Sequence, residues 1–522
     1  MKKLIFIFCL FILTAIATYA QAQDNHTGRD TVIISNYQEF LVDTTIIYKS
    51  GPEQIEPTLA FDGNNYFVVW SDNRRKSFYH YEYDIYGAFI NTSGVVTGVS
   101  GFLLLGVSPY SHSDHDPAIS FDGNNYMLTW WSDKEIRCSR VNCSGIPFDT
   151  LGILLAEAGG EPEGIWSPEI IFSENKYFII WEYLLGGHGY YNNISGCFID
   201  TSGFVVKDSI LISETDSISI FFQNSDLEFD GTNYLVVWEQ LTNSWGSPNN
   251  ICCTRVSSSG IVIDTSAIEI AVGFENESSP SIAFDGTNYL VVYEKGNDEF
   301  YDDIYGVRIS TSGIILDPNA IPISTAPNEQ RNPEVIYDGN NYIVVWQDKR
   351  SGTDYDIYGT VVKKSGEVKN SFPVSVQPGD QVTPSLTKGP GNQILVVYSG
   401  WTSTYNGNSY NTMRIWGAKM DVILVGVENN SPNVVTNYSL SQNYPNPFNP
   451  VTTIKYQIPK SSFVILKVYD VLGKEVATLL NEKQNAGSYE VEFDGKDYSS
   501  GIYFYKLVTE DYTNVKKMIL LK

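Results

Sequence analysis

The ten residues FDGNNYFVVW at 61–70 return almost unchanged as FDGNNYMLTW at 121–130. The pattern of an aromatic anchor, a turn and a closing aromatic then recurs every 51 to 60 residues. Asp-Gly-Asn-Asn favours a tight turn because Gly and Asn tolerate positive φ, and the flanking Val, Tyr and Trp suit strands. Self-similarity of this kind predicts a repeat array built on β-hairpins. The anchors are Phe61, Phe121, Phe172, Phe229, Phe284 and Tyr337, and the closing aromatics are Trp70, Trp130, Trp181, Trp238, Tyr293 and Trp346.

Each repeat has a second half. DIYGAFINTSG at 84–94 matches DIYGVRISTSG at 303–313 and DIYGTVVKKSG at 356–366, and a short apolar run follows. One repeat therefore holds four short antiparallel strands and no helix, which is typical of a propeller blade. A seventh, weaker copy ends at Tyr398. A β-solenoid is the alternative, although its periods are usually shorter.

The two ends of the array complement each other. The seventh copy ends at RIWGAKMD without a clear fourth strand, whereas 44–57 resembles the fourth strand and exit loop at 319–333. Segment 44–50 is therefore expected to complete the last blade and to remove the open sheet edges. The sequence predicts an all-β chain: a seven-bladed β-propeller of four-stranded repeats at 23–425, closed by an N-terminal strand, followed by a small β-sandwich.

The repeated motifs have structural interpretations that compete with functional ones. The closing aromatics fit a core between blades better than a sugar-stacking role. The Asp-Gly-Asn-Asn stretch fits a hairpin turn better than a calcium loop, because it lacks a run of alternating oxygen ligands.

The charge and the N-terminus indicate an exported acidic protein. The net charge is −26; residues 437–522 hold ten Lys and nine acidic residues, so that residues 23–436 carry about −29. Such a surface repels nucleic acid and anionic membranes. Residues 1–22 have two lysines, an apolar run and small residues at the end, as in a secretory signal peptide, and no later stretch is apolar enough to span a bilayer. The remaining cysteines are odd in number and lack zinc-site spacing: Cys138, Cys143, Cys197, Cys252 and Cys253.

Candidate ligand-binding residues lie in the loops from strand four to strand one, which we expect to ring the mouth of the propeller channel. Their carboxylates and amides could hold a cation such as calcium, or a polar glycan; the alternative is that they cap strand ends and face water. They are Glu53, Gln54, Asp114, His115, Glu277, Glu329, Gln330, Arg331, Asp380 and Gln381.

No stretch of the chain identifies a catalytic centre. His112, Asp114 and His115 form the one local His/Asp cluster, which suits either a transition metal or a solvated loop. Motifs of serine hydrolases, zinc peptidases and phosphate-binding loops are absent from the sequence, as is the sialidase-type Asp box. The variable loops from strand two to strand three, such as 71–84 and 182–192, are where function is expected.

The composition changes after a linker at 426–436. In residues 437–522, alternating apolar strands are broken by Gly, Pro and Asn. The motif NYPNPFNP at 443–450 consists of Asn443, Tyr444, Pro445, Asn446, Pro447, Phe448, Asn449 and Pro450. Further motif residues are Asp470, Gly473, Gly501 and Tyr503. This stretch resembles the type A C-terminal sorting domain of the type IX secretion system. The resemblance implies a Gram-negative cell, passage through the periplasm, the outer-membrane translocon as partner, and release or display at the cell surface.

The sequence thus favours a non-catalytic binding or adhesion protein that reaches the surface through this route, with a glycan or a surface protein as ligand. The alternative is a secreted hydrolase that acts on polysaccharide through acids at the channel mouth. No cofactor is expected other than calcium.

Overall fold

A computed structural model describes residues 30–43, 53–74, 83–105, 113–159, 164–185, 191–213, 220–242, 248–273, 275–296, 302–405, 408–425, 438–485 and 487–522. These residues form strands, turns and loops but no helix, so the all-β prediction is confirmed. Within them, no helix has the length and apolarity needed to cross a membrane. Thr31–Val425 and Gly426–Lys522 belong to two separate compact units.

The first unit begins with strand β1 (Thr31–Leu41), and the repeats then give sheets of four consecutive antiparallel strands. Sheet 1 contains β2 (Gln54–Phe61), β3 (Asn65–Asp72), β4 (Asp84–Asn91) and β5 (Val96–Leu105). Sheet 2 contains β6 (Asp114–Phe121), β7 (Asn125–Ser132), β8 (Glu135–Asn142) and β9 (Ile153–Glu157). Sheet 3 contains β10 (Gly164–Ser173), β11 (Lys176–Leu185), β12 (Tyr191–Asp200) and β13 (Val205–Ser213).

The same order continues through the second half of the unit. Sheet 4 contains β14 (Ile220–Phe229), β15 (Asn233–Thr242), β16 (Asn250–Ser257) and β17 (Ile268–Ala271). Sheet 5 contains β18 (Asn276–Phe284), β19 (Asn288–Gly296), β20 (Asp303–Ser310) and β21 (Ile321–Ser324). Sheet 6 contains β22 (Gln330–Tyr337), β23 (Tyr342–Asp348), β24 (Asp356–Val362) and β25 (Phe372–Ser375).

Sheet 7 takes its fourth strand from the N-terminus. Its order is β26 (Gln381–Lys388), β27 (Gln393–Tyr405), β28 (Asn408–Val425) and then β1, which pairs antiparallel with β28 from Thr31↔Val425 to Leu41↔Trp416. The segment that the sequence indicates for this role, 44–50, lies outside the described residues. The strand observed beside β28 comes earlier in the chain and carries none of the repeat motifs.

The first strand of each sheet lies against the first strand of the next sheet, and β26 lies against β2. We call these seven first strands the inner strands. Each has one residue with a positive φ, between 46° and 55°, where the pairing with the second strand shifts. Such bulges bend a strand and re-aim its side chains. The bulge residues are Glu56, Asp116, Ser167, Asn224, Ser279, Asn332 and Thr383.

The closing aromatics belong to cores that adjacent sheets share. Trp70, Trp238 and Trp346 are fully buried, and Trp70 packs in one cluster with Leu395 and Ile415 of sheet 7. The interpretation of these aromatics as core between sheets is confirmed. The burial of so much apolar surface between sheets is what holds a repeat array together.

The Asp-Gly-Asn-Asn stretches form hairpin turns, as predicted. Asp62 Oδ1 accepts hydrogen bonds from the backbone N–H groups of Asn64 (2.7 Å) and Asn65 (2.6 Å), and Gly63 has a φ of +94°. The same bonds recur at Asp122, Asp230, Asp285 and Asp338. The aspartate is therefore occupied by its own turn.

The second unit contains two antiparallel sheets. One sheet has the order β29 (Ser439–Leu440), β30 (Val451–Ile458) and β33 (Gly487–Asp494). The other has the order β32 (Glu475–Gln484), β31 (Ser462–Tyr469), β34 (Gly501–Val508) and β35 (Thr513–Leu520). Residues of both sheets form one buried cluster, including Tyr456, Val468 and Leu507, as the sandwich prediction requires.

Candidate functional site

The ten predicted ligand-binding residues lie at or beside the starts of inner strands. Gln54, Asp114, Glu277, Gln330 and Gln381 occupy equivalent places there and are buried, with exposures of 0 to 8%. The sequence analysis assigned these five residues to loops, whereas the structure has them on the strands with buried side chains. Their role in binding a ligand stays a prediction, and the exposed neighbours Glu53 and Asp380 are better placed to meet one.

A row of polar groups runs across sheets 5, 6 and 7. Arg331 Nη2 lies 3.1 Å from Asp302 Oδ2 and 2.7 Å from Glu329 Oε1. The Tyr355 hydroxyl donates to Glu329 Oε2, and the Tyr355 N–H donates to Asp380 Oδ1 (3.0 Å). The fold therefore brings Glu329, Arg331 and Asp380 together through Tyr355, a residue that the sequence analysis did not single out.

Trp401 extends this row on the hairpin of β27 and β28. These strands are 13 and 18 residues long, against 7 to 10 for the second and third strands of the other sheets as the structure describes them. Trp401 is 45% exposed, and its backbone N–H donates to the Asp380 carbonyl (2.8 Å). A Cβ added at Gly379 would lie 2.9 Å from Trp401 Cβ and Cδ1, so only glycine lets this loop pack against the tryptophan. We call Trp401, Asp380 and Gly379 the Trp401 platform.

A second group of charges lies where sheets 7 and 1 meet. Asp43 follows β1 and is fully buried; Arg74 of sheet 1 contacts its Oδ2, and Arg414 of β28 donates from Nη2 to its carbonyl (2.9 Å). Gln54 donates to Asp43 and to Asp72 (2.8 Å each), and accepts from the Ile415 N–H (3.1 Å). We call Asp43, Gln54, Asp72, Arg74 and Arg414 the seam cluster. Burial lowers the pKa of Arg414, while Asp43 opposes that change.

The predicted His/Asp cluster lies between sheets 1 and 2. His115 Nε2 lies 2.7 Å from Ser113 Oγ, and its Nδ1 lies 3.9 Å from Glu56 Oε2. Burial acts to raise the pKa of Glu56, but the nearby His115 ring and the hydrogen bond from the Asp116 N–H (3.1 Å) outweigh it and lower the pKa. Burial and the charge of Glu56 raise the pKa of Asp116 to about 7. His112 lies outside the described residues, so the three-residue metal site that includes it is not described.

Carboxylates also follow the bulges on the inner strands. Asp226 Oδ2 accepts from the Ile282 N–H of the next sheet (2.9 Å), and Ser281 Oγ donates to Glu334 Oε2 (3.2 Å). Burial raises the pKa of Asp226 to about 6. Burial and the negative charge of Asp226 raise the pKa of Glu334 to about 8. Burial and the charge of Asp226 also raise the pKa of Glu169 well above its usual range. The inner strands thus hold carboxyl groups that keep protons near neutral pH.

In sheets 3 to 6 the residue after the closing aromatic ties its sheet to the next one. Glu239 accepts from Asn224 Nδ2 and Asn249 Nδ2 (2.9 Å each) and from the Ser279 N–H at the next bulge (3.5 Å). Glu294 accepts from the Asn332 N–H (2.8 Å) in the same way. At this place in sheet 6, Gln347 accepts from the Thr383 N–H (3.2 Å). These acids therefore have structural partners.

Within the described residues, no group of three or more His, Cys, Asp or Glu side chains is placed to hold a metal ion. Of the acids proposed for calcium, Glu329 already pairs with Arg331, whereas Asp380 is exposed. The five cysteines are free thiols in the structure: Cys138, Cys143, Cys197, Cys252 and Cys253.

In the second unit the motif residues hold the sandwich together. Asn443 is buried; its Nδ2 donates to Thr452 Oγ1 (3.0 Å) and to the Pro445 carbonyl (3.1 Å), and its backbone N–H bonds the Tyr505 hydroxyl (2.8 Å). Asn446 Oδ1 accepts from the Ile519 N–H (2.9 Å). The other motif residues have comparable places: Phe448 and Tyr503 in the core, Asp470 and Gly473 in the turn after β31, Gly501 at the start of β34, and Pro447, Asn449 and Pro450 before β30.

Residues 442–521 match the family of secretion system C-terminal sorting domains. This confirms the sorting-domain assignment, and the protein is exported by the type IX system to the cell surface or the medium of a Gram-negative bacterium. The second unit therefore contains the sorting domain, and the predicted motif residues lie within the matched range.

The first unit is similar to propeller enzymes only at low levels. Structures that resemble the chain include an α-L-arabinanase of Penicillium chrysogenum complexed with arabinobiose. The two are 11% identical, and the match covers 59% of this chain and 93% of that chain with a TM-score of 0.41. An α-L-arabinofuranosidase of Lactobacillus brevis is 13% identical. The match covers 58% of this chain and 89% of that chain with a TM-score of 0.35. A puromycin-hydrolyzing peptidase of Mycobacterium tuberculosis is 13% identical. The match covers 79% of this chain and 59% of that chain with a TM-score of 0.44. At these scores the likeness carries no argument about function. No curated protein sequence matches the chain significantly.

Proposed function

We propose that the exported protein binds polysaccharide at the Trp401 platform, on a propeller whose seven sheets close a ring. The observation that carries the proposal is an exposed indole beside an exposed carboxylate, on the hairpin of the long strands β27 and β28. An indole offers a large apolar face to a sugar ring, and a carboxylate accepts strong hydrogen bonds from its hydroxyls.

Closure of the ring is supported by the contacts across sheets 7 and 1. β26 lies against β2, β1 completes sheet 7, and the seam cluster joins the two sheets. Gln393 Nε2 donates to the Thr92 carbonyl (3.0 Å), and the Tyr66 hydroxyl donates to Gln393 Oε1 (2.7 Å), which adds a further bond between these sheets. A rigid ring would hold the platform in a fixed place, which limits the entropy lost on binding.

The test is affinity electrophoresis of the chain 23–522 in gels that contain arabinan, xylan, β-glucan or mannan. We expect one of these polysaccharides to retard the protein, and Trp401→Ala to abolish the retardation. Trp131→Ala is the matched control, because this partly exposed tryptophan lies in sheet 2 and its Nε1 already donates to the Asp133 carbonyl (2.6 Å). Equal retardation of wild type and Trp401→Ala would refute the platform.

A second candidate is polysaccharide hydrolysis at the inner strands. It is favoured by Glu334 and Asp226, whose raised pKa values of about 8 and about 6 suit a general acid paired with a base. A reducing-sugar assay on the same four polysaccharides tests it. Activity that Glu334→Gln abolishes while binding persists would establish hydrolysis, and absence of product would leave binding alone.

A further inference from the structure

The short turn between the third and fourth strands carries exposed apolar side chains at two places in each of four consecutive sheets. In each turn, one of these places is the residue that directly follows Ser-Gly. The other is the residue two positions after that one, and both side chains point away from the strand pairing. Their exposures range from 39 to 69%. The eight residues are Ile146 and Phe148 in sheet 2, Phe204 and Val206 in sheet 3, Ile261 and Ile263 in sheet 4, and Ile314 and Leu316 in sheet 5. We call them the apolar arc.

Sheet 6 shows that the fold does not require apolar residues there. Its turn has the same geometry: Lys363 N–H donates to the Glu367 carbonyl and Lys369 N–H donates to the Val361 carbonyl (2.9 Å each). Yet the two equivalent places hold Glu367, which is exposed, and Lys369, whose side chain is only 5% exposed and forms an ion pair with Glu367. The residue between them, Val368, packs inward, as do Val262 and Ile315 in sheets 4 and 5. The apolar arc is therefore a property of sheets 2 to 5 and not of the turn.

The charges beside the arc are compensated, although residues 23–436 carry about −29. In sheets 2, 4 and 5 an arginine on the third strand pairs with an aspartate just beyond the turn. The distances from Nη2 to Oδ1 are 2.9 Å for Arg140–Asp149, 2.6 Å for Arg255–Asp264 and 2.7 Å for Arg308–Asp317. These pairs neutralise part of the negative charge at this end of the sheets, which lessens the repulsion of an acidic partner.

We propose that two copies of this chain associate through their apolar arcs. Eight side chains that are about half exposed, with Leu151 and Leu154 beside them, offer on the order of 800 Å² per copy, about what one side of a stable interface buries. Aliphatic side chains without directional polar groups can meet the same patch across a two-fold axis. A sugar would find no hydrogen-bond partner among these eight side chains.

The test is sedimentation equilibrium of the chain 23–522. We expect twice the monomer mass for wild type, and monomer mass for Ile261→Glu with Ile263→Lys, which copies sheet 6 at the centre of the arc. Val376→Glu, at an apolar residue that is 54% exposed outside the arc, is the control and should remain dimeric. The single change Ile261→Glu serves if the double variant does not fold.

Three results would overturn the proposal. A wild-type chain that sediments as a monomer up to about 100 µM would exclude the dimer at concentrations where an interface of this size associates. A dimer that survives both arc variants would place the interface elsewhere. Recruitment of wild type, but not of the arc variants, to vesicles of outer-membrane lipid would make lipid the occupant.

Discussion

The junction of sheets 7 and 1 can be weakened by one substitution, Asp43→Asn. Asp43 and Asp72 are both 0% exposed, and Arg414 is 1% exposed, so the charges of the seam cluster compensate one another away from water. Removing the charge of Asp43 leaves Arg414 and Arg74 facing Asp72 alone. Breaking a buried pair in this way costs about 3–5 kcal/mol, because a charge remains buried without its partner.

The assay is equilibrium unfolding of the chain 23–522 in guanidinium chloride, followed by tryptophan fluorescence. The matched control is Asp149→Asn, which removes the carboxylate of the more exposed pair Arg140–Asp149. Pairs at that level of exposure contribute about 0–1 kcal/mol. We expect Asp43→Asn to lower the free energy of unfolding by several kcal/mol more than the control. Equal losses for the two variants would refute the argument that the seam cluster joins sheets 7 and 1.

Four further predictions follow from the same contacts. Deleting 24–43 should lower the thermal midpoint sharply, because sheet 7 loses β1 and exposes the edge of β28; an unchanged midpoint in calorimetry would contradict this. The pKa of Glu334 is raised from its usual 4.5 to about 8, so between these pH values the folded state binds a proton that the unfolded state does not. The free energy of unfolding should therefore fall as the pH rises through that window. In urea titrations, Glu334→Gln should make the free energy of unfolding less dependent on pH. Glu239→Ala should lower the free energy of unfolding by about 1–3 kcal/mol, because it leaves three hydrogen-bond donors unsatisfied. Glu294→Gln should lower it less, because a glutamine, Gln347, occupies the equivalent position in sheet 6 and accepts the same kind of hydrogen bond. Removing 437–522 should leave the first unit folded but confined to the periplasm, and normal surface levels in fractionated cells would contradict the sorting role.

The repeat could be read from the sequence because its determinants are local. The Asp-Gly turn is fixed by its own aspartate and occurs in five of the seven copies, and apolar residues favour strands on either side of it. β1 could not be identified in this way. Its residues, TVIISNYQEFL, carry no repeat motif, and they are selected by pairing with β28 almost 400 residues later.

The candidate site was predictable only in part, for a related reason. Spacing placed Gln54, Glu329 and Asp380 near the starts of inner strands, but depth depends on which neighbour covers each side chain. Asp43 and the Ile415 N–H hydrogen-bond Gln54, which is buried, whereas Asp380 is exposed. Trp401 was missed because it follows the motif that ends at Tyr398, at a position that the repeat pattern does not mark.

Hydrogen exchange of the chain 23–522, with and without the polysaccharide that retards it in gels, tests the platform most directly. We predict that protection appears in the hairpin of β27 and β28 and in the loop 376–381, and that Trp401→Ala removes it. Protection confined to other segments, or equal protection in wild type and Trp401→Ala, would contradict the claim that the Trp401 platform binds polysaccharide.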